Sequence, residues 1–101
     1  MLNQILQKVF TPSPAMAVDV EALFNDKADH AMTPLSWRTS IVDLLHLLEL
    51  DSSLQSRKAL ARELYYSGDA DSPASMNVWL HRQVMTKLAQ NGGKVPPDLK
   101  D

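Results

Sequence analysis

The stretch from Trp37 to Leu50, WRTSIVDLLHLLEL, constrains this chain more than any other. Ile41, Val42, Leu44, Leu45, Leu47, Leu48 and Leu50 leave only Asp43, His46 and Glu49 as polar breaks. A surface helix carries one apolar stripe. This segment is apolar over most of its circumference, the pattern of a helix packed on several sides. At about 1.5 Å of rise per residue it would run about 21 Å, the width of a small domain. It is predicted to be the central core helix.

A chain of 101 residues reads as one domain, able to bury roughly two thirds of its unfolded surface. Net charge is −2 with acids and bases interspersed, so the basic footprint of a nucleic-acid binder is missing. The sequence contains no cysteine, which excludes disulfides and thiolate metal sites and fits a reducing compartment. No apolar run approaches the roughly 18 residues that span a bilayer. Ala15-Met16-Ala17 imitates a signal-peptidase site, but Asn3, Gln4, Gln7 and Lys8 interrupt what would be the apolar core of a signal, so none is expected. The expected location is the cytoplasm.

Along the chain, Leu2, Ile5, Leu6 and Val9 follow helical spacing with Phe10 beside them, predicting an amphipathic helix in residues 1–10. So short a helix cannot hold itself in water and must dock somewhere. Residues 11–17, with Pro12 and Pro14, read as a linker biased toward extended conformations. Asp19 caps a second helix carrying Val20, Leu23 and Phe24. Ser36 is the first cap offered to the core helix, and Ser40 with Asp43 offers a second one turn later. Asp51-Ser52-Ser53 makes a short joint to a helix from Leu54 to about Tyr66, with Leu60, Ala61, Leu64 and Tyr65 inward. Gly68 is placed for a left-handed cap. Pro73 suits the first position of a last helix, which buries Met76, Trp79 or Leu80, Val84 and Leu88 and stops at Gly92-Gly93. In the tail, 94–101, the prolines bar helix, while Val95 and Leu99 can pin the segment to the body. Strand alternation is absent, so the class is all-α: a compact orthogonal array of four helices over 18–93, preceded by a short tethered N-terminal amphipathic helix.

These residues resemble an uncharacterised bacterial family, domain of unknown function 3597. The likeness lies in Trp37-Arg38-Thr39-Ser40-Ile41-Val42-Asp43-Leu44-Leu45, in Leu50-Asp51-Ser52-Ser53-Leu54 with Arg57-Lys58, and in Met76-Asn77 with Trp79-Leu80-His81. The end, Asn91-Gly92-Gly93-Lys94-Val95-Pro96, matches as well. The resemblance implies a short apolar helix, a tether and a helical domain, and implies no activity. A second likeness, to the helical peptidoglycan-binding domain, rests on Leu60, Leu64, Tyr66, Gly68 and Asp71, with Ser72 where that family usually has glycine.

Candidate chemistry is sparse. Asp43, His46 and Glu49 drift along one helix face, and flanking acids favour the charged imidazolium over a metal-binding ring. They read as a solvated edge. His30 and His81 have no ligand spacing with His46. Asp69-Ala70-Asp71 opens like a calcium loop, but Leu80 occupies the place of the bidentate glutamate. Neither metal nor cofactor is expected. Tyr65 and Tyr66 are adjacent and in a helix point about 100° apart, so one must face out. Tyr65, Tyr66, Gly68, Asp69 and Trp79 therefore form the candidate recognition surface. Leu2, Ile5, Leu6, Val9 and Phe10 form a candidate docking helix, expected to move independently and to engage a protein partner or a second copy. Lys8 is its only charge, which leaves room for no more than weak membrane-surface contact. The expected function is a non-catalytic protein-binding or scaffolding module. Cell-wall glycan binding is the alternative, and an enzyme the least favoured class.

Overall fold

The computed structural model describes residues 1–10, 18–32, 35–68 and 72–100. Its longest element is the last helix, Pro73–Gln90. Pro73 sits in the first turn, where a missing N–H costs nothing. Met76, Leu80, His81, Val84, Met85 and Leu88 recur at helical spacing and are buried. Around this helix stand α1 (Leu2–Val9), α2 (Val20–Asp29), α3 (Ile41–Leu47) and α4 (Leu54–Glu63), which makes it α5. It packs against α3, α4 and the C-terminal segment, and the buried apolar side chains among the described residues belong to one core.

The protein is mostly helical, with one addition that the sequence hides. Val18–Asp19 (β1) and Gly93–Lys94 (β2) pair in parallel, Val18 beside Gly93 and Asp19 beside Lys94. Two residues are too few for alternation to register as a pattern. Gly92 turns the chain out of α5 with φ 99°. A Cβ on Gly93 would lie 2.7 Å from the Val20 side chain and 2.9 Å from the Leu88 carbonyl. The strand can lie this close to α2 and α5 because that position has no side chain.

α2 starts as expected, with the Asp19 carboxylate accepting from the Ala22 N–H at 3.1 Å. α3 takes the second of the two starts the sequence offers, and it is half the predicted length. Ser36–Ser40 is a separate turn, with the Ser36 carbonyl accepting from Thr39 and Ser40. Ser40 is the true cap, accepting from the Asp43 N–H, while the Asp43 carboxylate reaches back to the Ser36 N–H at 2.8 Å. At the other end Leu50 donates to the Leu45 carbonyl and Glu49 to that of His46, with Glu49 left-handed at φ 59°. This is the hydrogen-bond pattern of a helix terminated by one left-handed residue. The seven residues of α3 span about 10 Å. They still place Ile41, Leu44, Leu45 and Leu47 in the core, but the long axis belongs to α5.

α4 is capped by Ser53, which accepts from the Ser56 N–H. Its end repeats the motif of α3, with Tyr66 donating to the Ala61 carbonyl and Tyr65 to that of Arg62. Tyr65, at φ 63°, holds the left-handed position that Gly68 was predicted to take. The same turn of the backbone swings Tyr65 out of the core into solvent, correcting its inward placement.

The largest correction concerns α1. Ile5 is fully buried and Val9 nearly so, with Met1, Leu2, Leu6 and Phe10 packed against the same core. Glu63 of α4 receives the Met1 ammonium at 3.0 Å on one oxygen and the Leu2 N–H at 3.3 Å on the other. A carboxylate there also complements the positive end of the helix dipole. The expected independent helix is instead docked, because its apolar stripe completes the core. The linker, 11–17, lies outside the described residues.

In the tail, Val95 and Leu99 are buried as expected. Pro97 nevertheless opens a single 3₁₀ turn, Pro97–Leu99, where its fixed φ fits and no N–H is needed.

If α1 belongs to the core, Ile5→Ala costs the whole domain about 2 to 5 kcal/mol, against less than about 0.5 kcal/mol for exposed Asn3→Ala. Urea unfolding followed by tryptophan fluorescence measures both. An Ile5→Ala loss below about 1 kcal/mol contradicts the docking.

Candidate functional site

The left-handed end of α4 produces an aromatic corner. The Tyr65 side chain stands 89% exposed. Tyr66 turns the other way, its ring centroid 4.8 Å from that of Trp79 of α5 at a 44° tilt, and both are half-buried against the core. Gly68 lies beneath them: a Cβ there would come 2.4 Å from the Tyr66 hydroxyl oxygen. Four of the five predicted recognition residues thus meet at one corner, and Asp69 lies outside the described residues. Left-handed backbone costs a residue with a Cβ about 1 to 2 kcal/mol. A large apolar ring held in solvent on such a backbone is the kind of outlier that marks a working surface.

Asp43, His46 and Glu49, read from the sequence as a solvated edge, do not act as one group. Asp43 serves as a helix-start acceptor for Ser36, whereas His46 and Glu49 are exposed. These two line a cleft of about 450 Å³ with Asp26, Lys27 and His30, so the fold brings together two histidines that the sequence left apart. His30 Nδ1 donates to the Asp26 carbonyl at 2.7 Å. That bond, and then the Asp26 charge, raise its pKa. Among the described residues no three His, Asp or Glu side chains are arranged to hold a metal ion.

The Asp51 pKa is lowered from its ordinary value, first by the Ser56 hydroxyl and then by the N–H and hydroxyl of Ser53. The Ser56 hydroxyl donates at 2.7 Å and the Ser53 N–H at 3.0 Å. This is the chemistry of a fixed joint between α3 and α4.

Sequence reasoning missed His81. It is 4% exposed, the buried polar residue of the described core. Its Nε2 lies 2.5 Å from the Trp37 carbonyl oxygen. A carbonyl only accepts, so Nε2 carries the proton and Nδ1 of the neutral ring keeps a lone pair. Trp37 is fixed in turn by its indole N–H on Asn25 at 3.1 Å and by edge contact with Phe24. The signal was present in the spacing: His81 falls four residues before Met85 and three before Val84, on the buried stripe of α5.

His81 also lines a cavity of about 250 Å³ with Arg38, Thr39, Val78, Arg82 and Leu99. The Arg38 guanidinium stacks 5.2 Å from the Trp37 ring centroid and pairs with Glu21. Arg82 binds the carbonyls of Asp98 and Lys100, which holds the tail against α5.

Burial pushes the His81 pKa below its ordinary 6.5; the bond to the Trp37 carbonyl pulls the other way, and the Arg82 charge adds to the lowering. Below that ordinary value the unfolded chain binds a proton that the folded chain refuses. The contribution of His81 is therefore full above about pH 6.5 and is lost as pH falls toward its folded pKa. The slope is at most about 1.4 kcal/mol per pH unit. His30, with its raised pKa, has the opposite sign on an exposed surface. Comparing urea unfolding of wild type and His81→Gln from about pH 7.5 to 5 isolates the term. The wild type loses stability faster toward acid, and parallel curves contradict the assignment.

Comparison with known proteins bears on the whole chain. The family profile described as "Domain of unknown function (DUF3597)" matches residues 3–96. No curated protein matches. The chain is similar to a conserved unknown protein from Rhodopseudomonas palustris whose solution structure is solved. The two are 38% identical, the alignment covers 99% of this chain and 98% of that one, and the TM-score is 0.80. No helix among the described residues is long and apolar enough to cross a membrane.

Proposed function

The chain belongs to the DUF3597 family, and from that premise we propose a non-catalytic binding or scaffolding module that engages a protein partner through its aromatic corner. The observation that carries this reading is Tyr65, a left-handed residue with its ring 89% exposed beside the Tyr66–Trp79 pair. Tyrosine offers a partner a large rigid surface and a hydroxyl for little lost conformational freedom. Such residues anchor interfaces out of proportion to their number. Partner binding or self-association through α1 loses its basis, because Ile5 and Val9 are buried in the core. We place the module in the cytoplasm on its cysteine-free composition.

Cell-wall glycan binding is the rival use of the same corner. Sugar stacking favours open aromatic faces, whereas Tyr66 and Trp79 lean on each other.

Tyr65→Gly separates recognition from folding. Glycine relieves the left-handed strain, so stability holds or rises by up to about 1 kcal/mol, while partner capture is lost. Pull-downs with the full chain and this variant at equal concentration, beside thermal melts, measure both. An unchanged set of captured proteins contradicts the reading. Tyr65-dependent co-sedimentation with insoluble peptidoglycan transfers the corner to the rival.

A further inference from the structure

We infer that the cavity between the Ser36–Ser40 turn, the first half of α5 and the tail binds a small carboxylate carrying a hydrogen-bond donor next to its acid group. A hydroxy acid or an amino acid has this chemistry. The cavity shares no residue with the aromatic corner, so this inference stands or falls independently of the proposed function.

His81 supplies the first observation. Its Nε2–H is committed to the Trp37 carbonyl, which leaves Nδ1 as an acceptor on a ring more than nine-tenths buried. Among the described residues no donor reaches Nδ1, yet no buried side-chain nitrogen or oxygen is without a partner. Nδ1 therefore meets the open space of the cavity that His81 lines. An acceptor that opens onto the cavity selects for a ligand that donates, because a ligand without a donor displaces water from the ring nitrogen and leaves it unpaired.

The rest of the lining supplies the complement. Among the described residues Arg38 meets one carboxylate, through Nη1 to Glu21, and a guanidinium carries five N–H groups in a planar fork. Its stacking on Trp37 holds the fork in place, so a second carboxylate meets a preset donor array. Thr39, an exposed residue, lines the same cavity and carries a hydroxyl that can add a donor. Val78, 63% exposed, and Leu99 give the ligand's carbon body an apolar seat. Asp98, also in the lining, disfavours a second acid group and favours an ammonium. A volume of about 250 Å³ admits a few non-hydrogen atoms and no polymer. The carboxylate lies on Arg38 and Thr39, its neighbouring hydroxyl or ammonium donates to His81 Nδ1, and the substituent rests on Val78 and Leu99.

The test is an amide-shift titration of the full chain at neutral pH with lactate, alanine and acetate. Lactate or alanine is expected to saturate shifts at Thr39, Val78 and His81. Acetate keeps the acid and lacks the donor, so it binds about tenfold more weakly, the loss of one hydrogen bond to the ring nitrogen. Arg38→Gln weakens lactate and alanine alike, and because Arg38 is partly exposed its variant remains folded by the same spectra. Thr39→Val gives a second, milder loss. The inference is overturned if neither lactate nor alanine saturates, if the shifts map away from the cavity, if acetate binds as well as lactate, or if Arg38→Gln leaves affinity unchanged.

Discussion

The structure depends on one buried hydrogen bond, from the His81 ring to the Trp37 carbonyl. It is made by the buried polar side chain of the described core, and it joins the middle of the longest helix to the turn that launches α3. Without that donor a carbonyl in the core would have no partner, at a cost of about 1 to 3 kcal/mol. With it, the Trp37 indole is drawn onto Phe24 and Asn25 of α2. One side chain of α5 therefore sets where α2 and α3 lie. Apolar contacts alone would hold these elements together with less definite register, since burial has little direction.

Helix ends then decide where chemistry can occur. α3 and α4 close with the same bond pattern, and each puts a residue with a Cβ into the left-handed region, Glu49 in one and Tyr65 in the other. Neither end uses glycine, although glycine is the residue that takes this conformation without steric cost. Each end therefore presents a side chain to solvent at a sharp corner. Glu49 reaches the cleft that holds His30 and His46, and Tyr65 extends beside the tyrosine–tryptophan pair. The small parallel pairing of Val18–Asp19 with Gly93–Lys94 brings the two ends of the compact body together.

Much of this was legible in the residues. The Asp19 cap, the Ser53 cap, the Pro73 start and the buried pair Val95 and Leu99 follow from side-chain hydrogen bonding, fixed φ and spacing. The left-handed ends were illegible because their hydrogen bonds are backbone-only, and the unfavourable residues Glu49 and Tyr65 point away from them. The length of α3 was overread because an apolar run looks the same whether its backbone is one helix or a turn, a short helix and a second turn. The docking of α1 was missed because an apolar stripe says that a face will be covered and not by what. His81 was weighed as a metal ligand, with its place on the buried stripe overlooked, and the cavity beside it needed three distant segments to exist.

The central claim is that His81 is a neutral, Nε2-protonated ring locked to the Trp37 carbonyl. Long-range ¹H–¹⁵N correlation of the histidine rings across a pH series tests it most directly, since the two ring nitrogens differ strongly when one bears the proton. The account predicts a protonated Nε2 and a bare Nδ1 at neutral pH, persisting in acid below the ordinary histidine value of 6.5. A His81 ring protonated on Nδ1 alone, or one that titrates at or above that value, would contradict it.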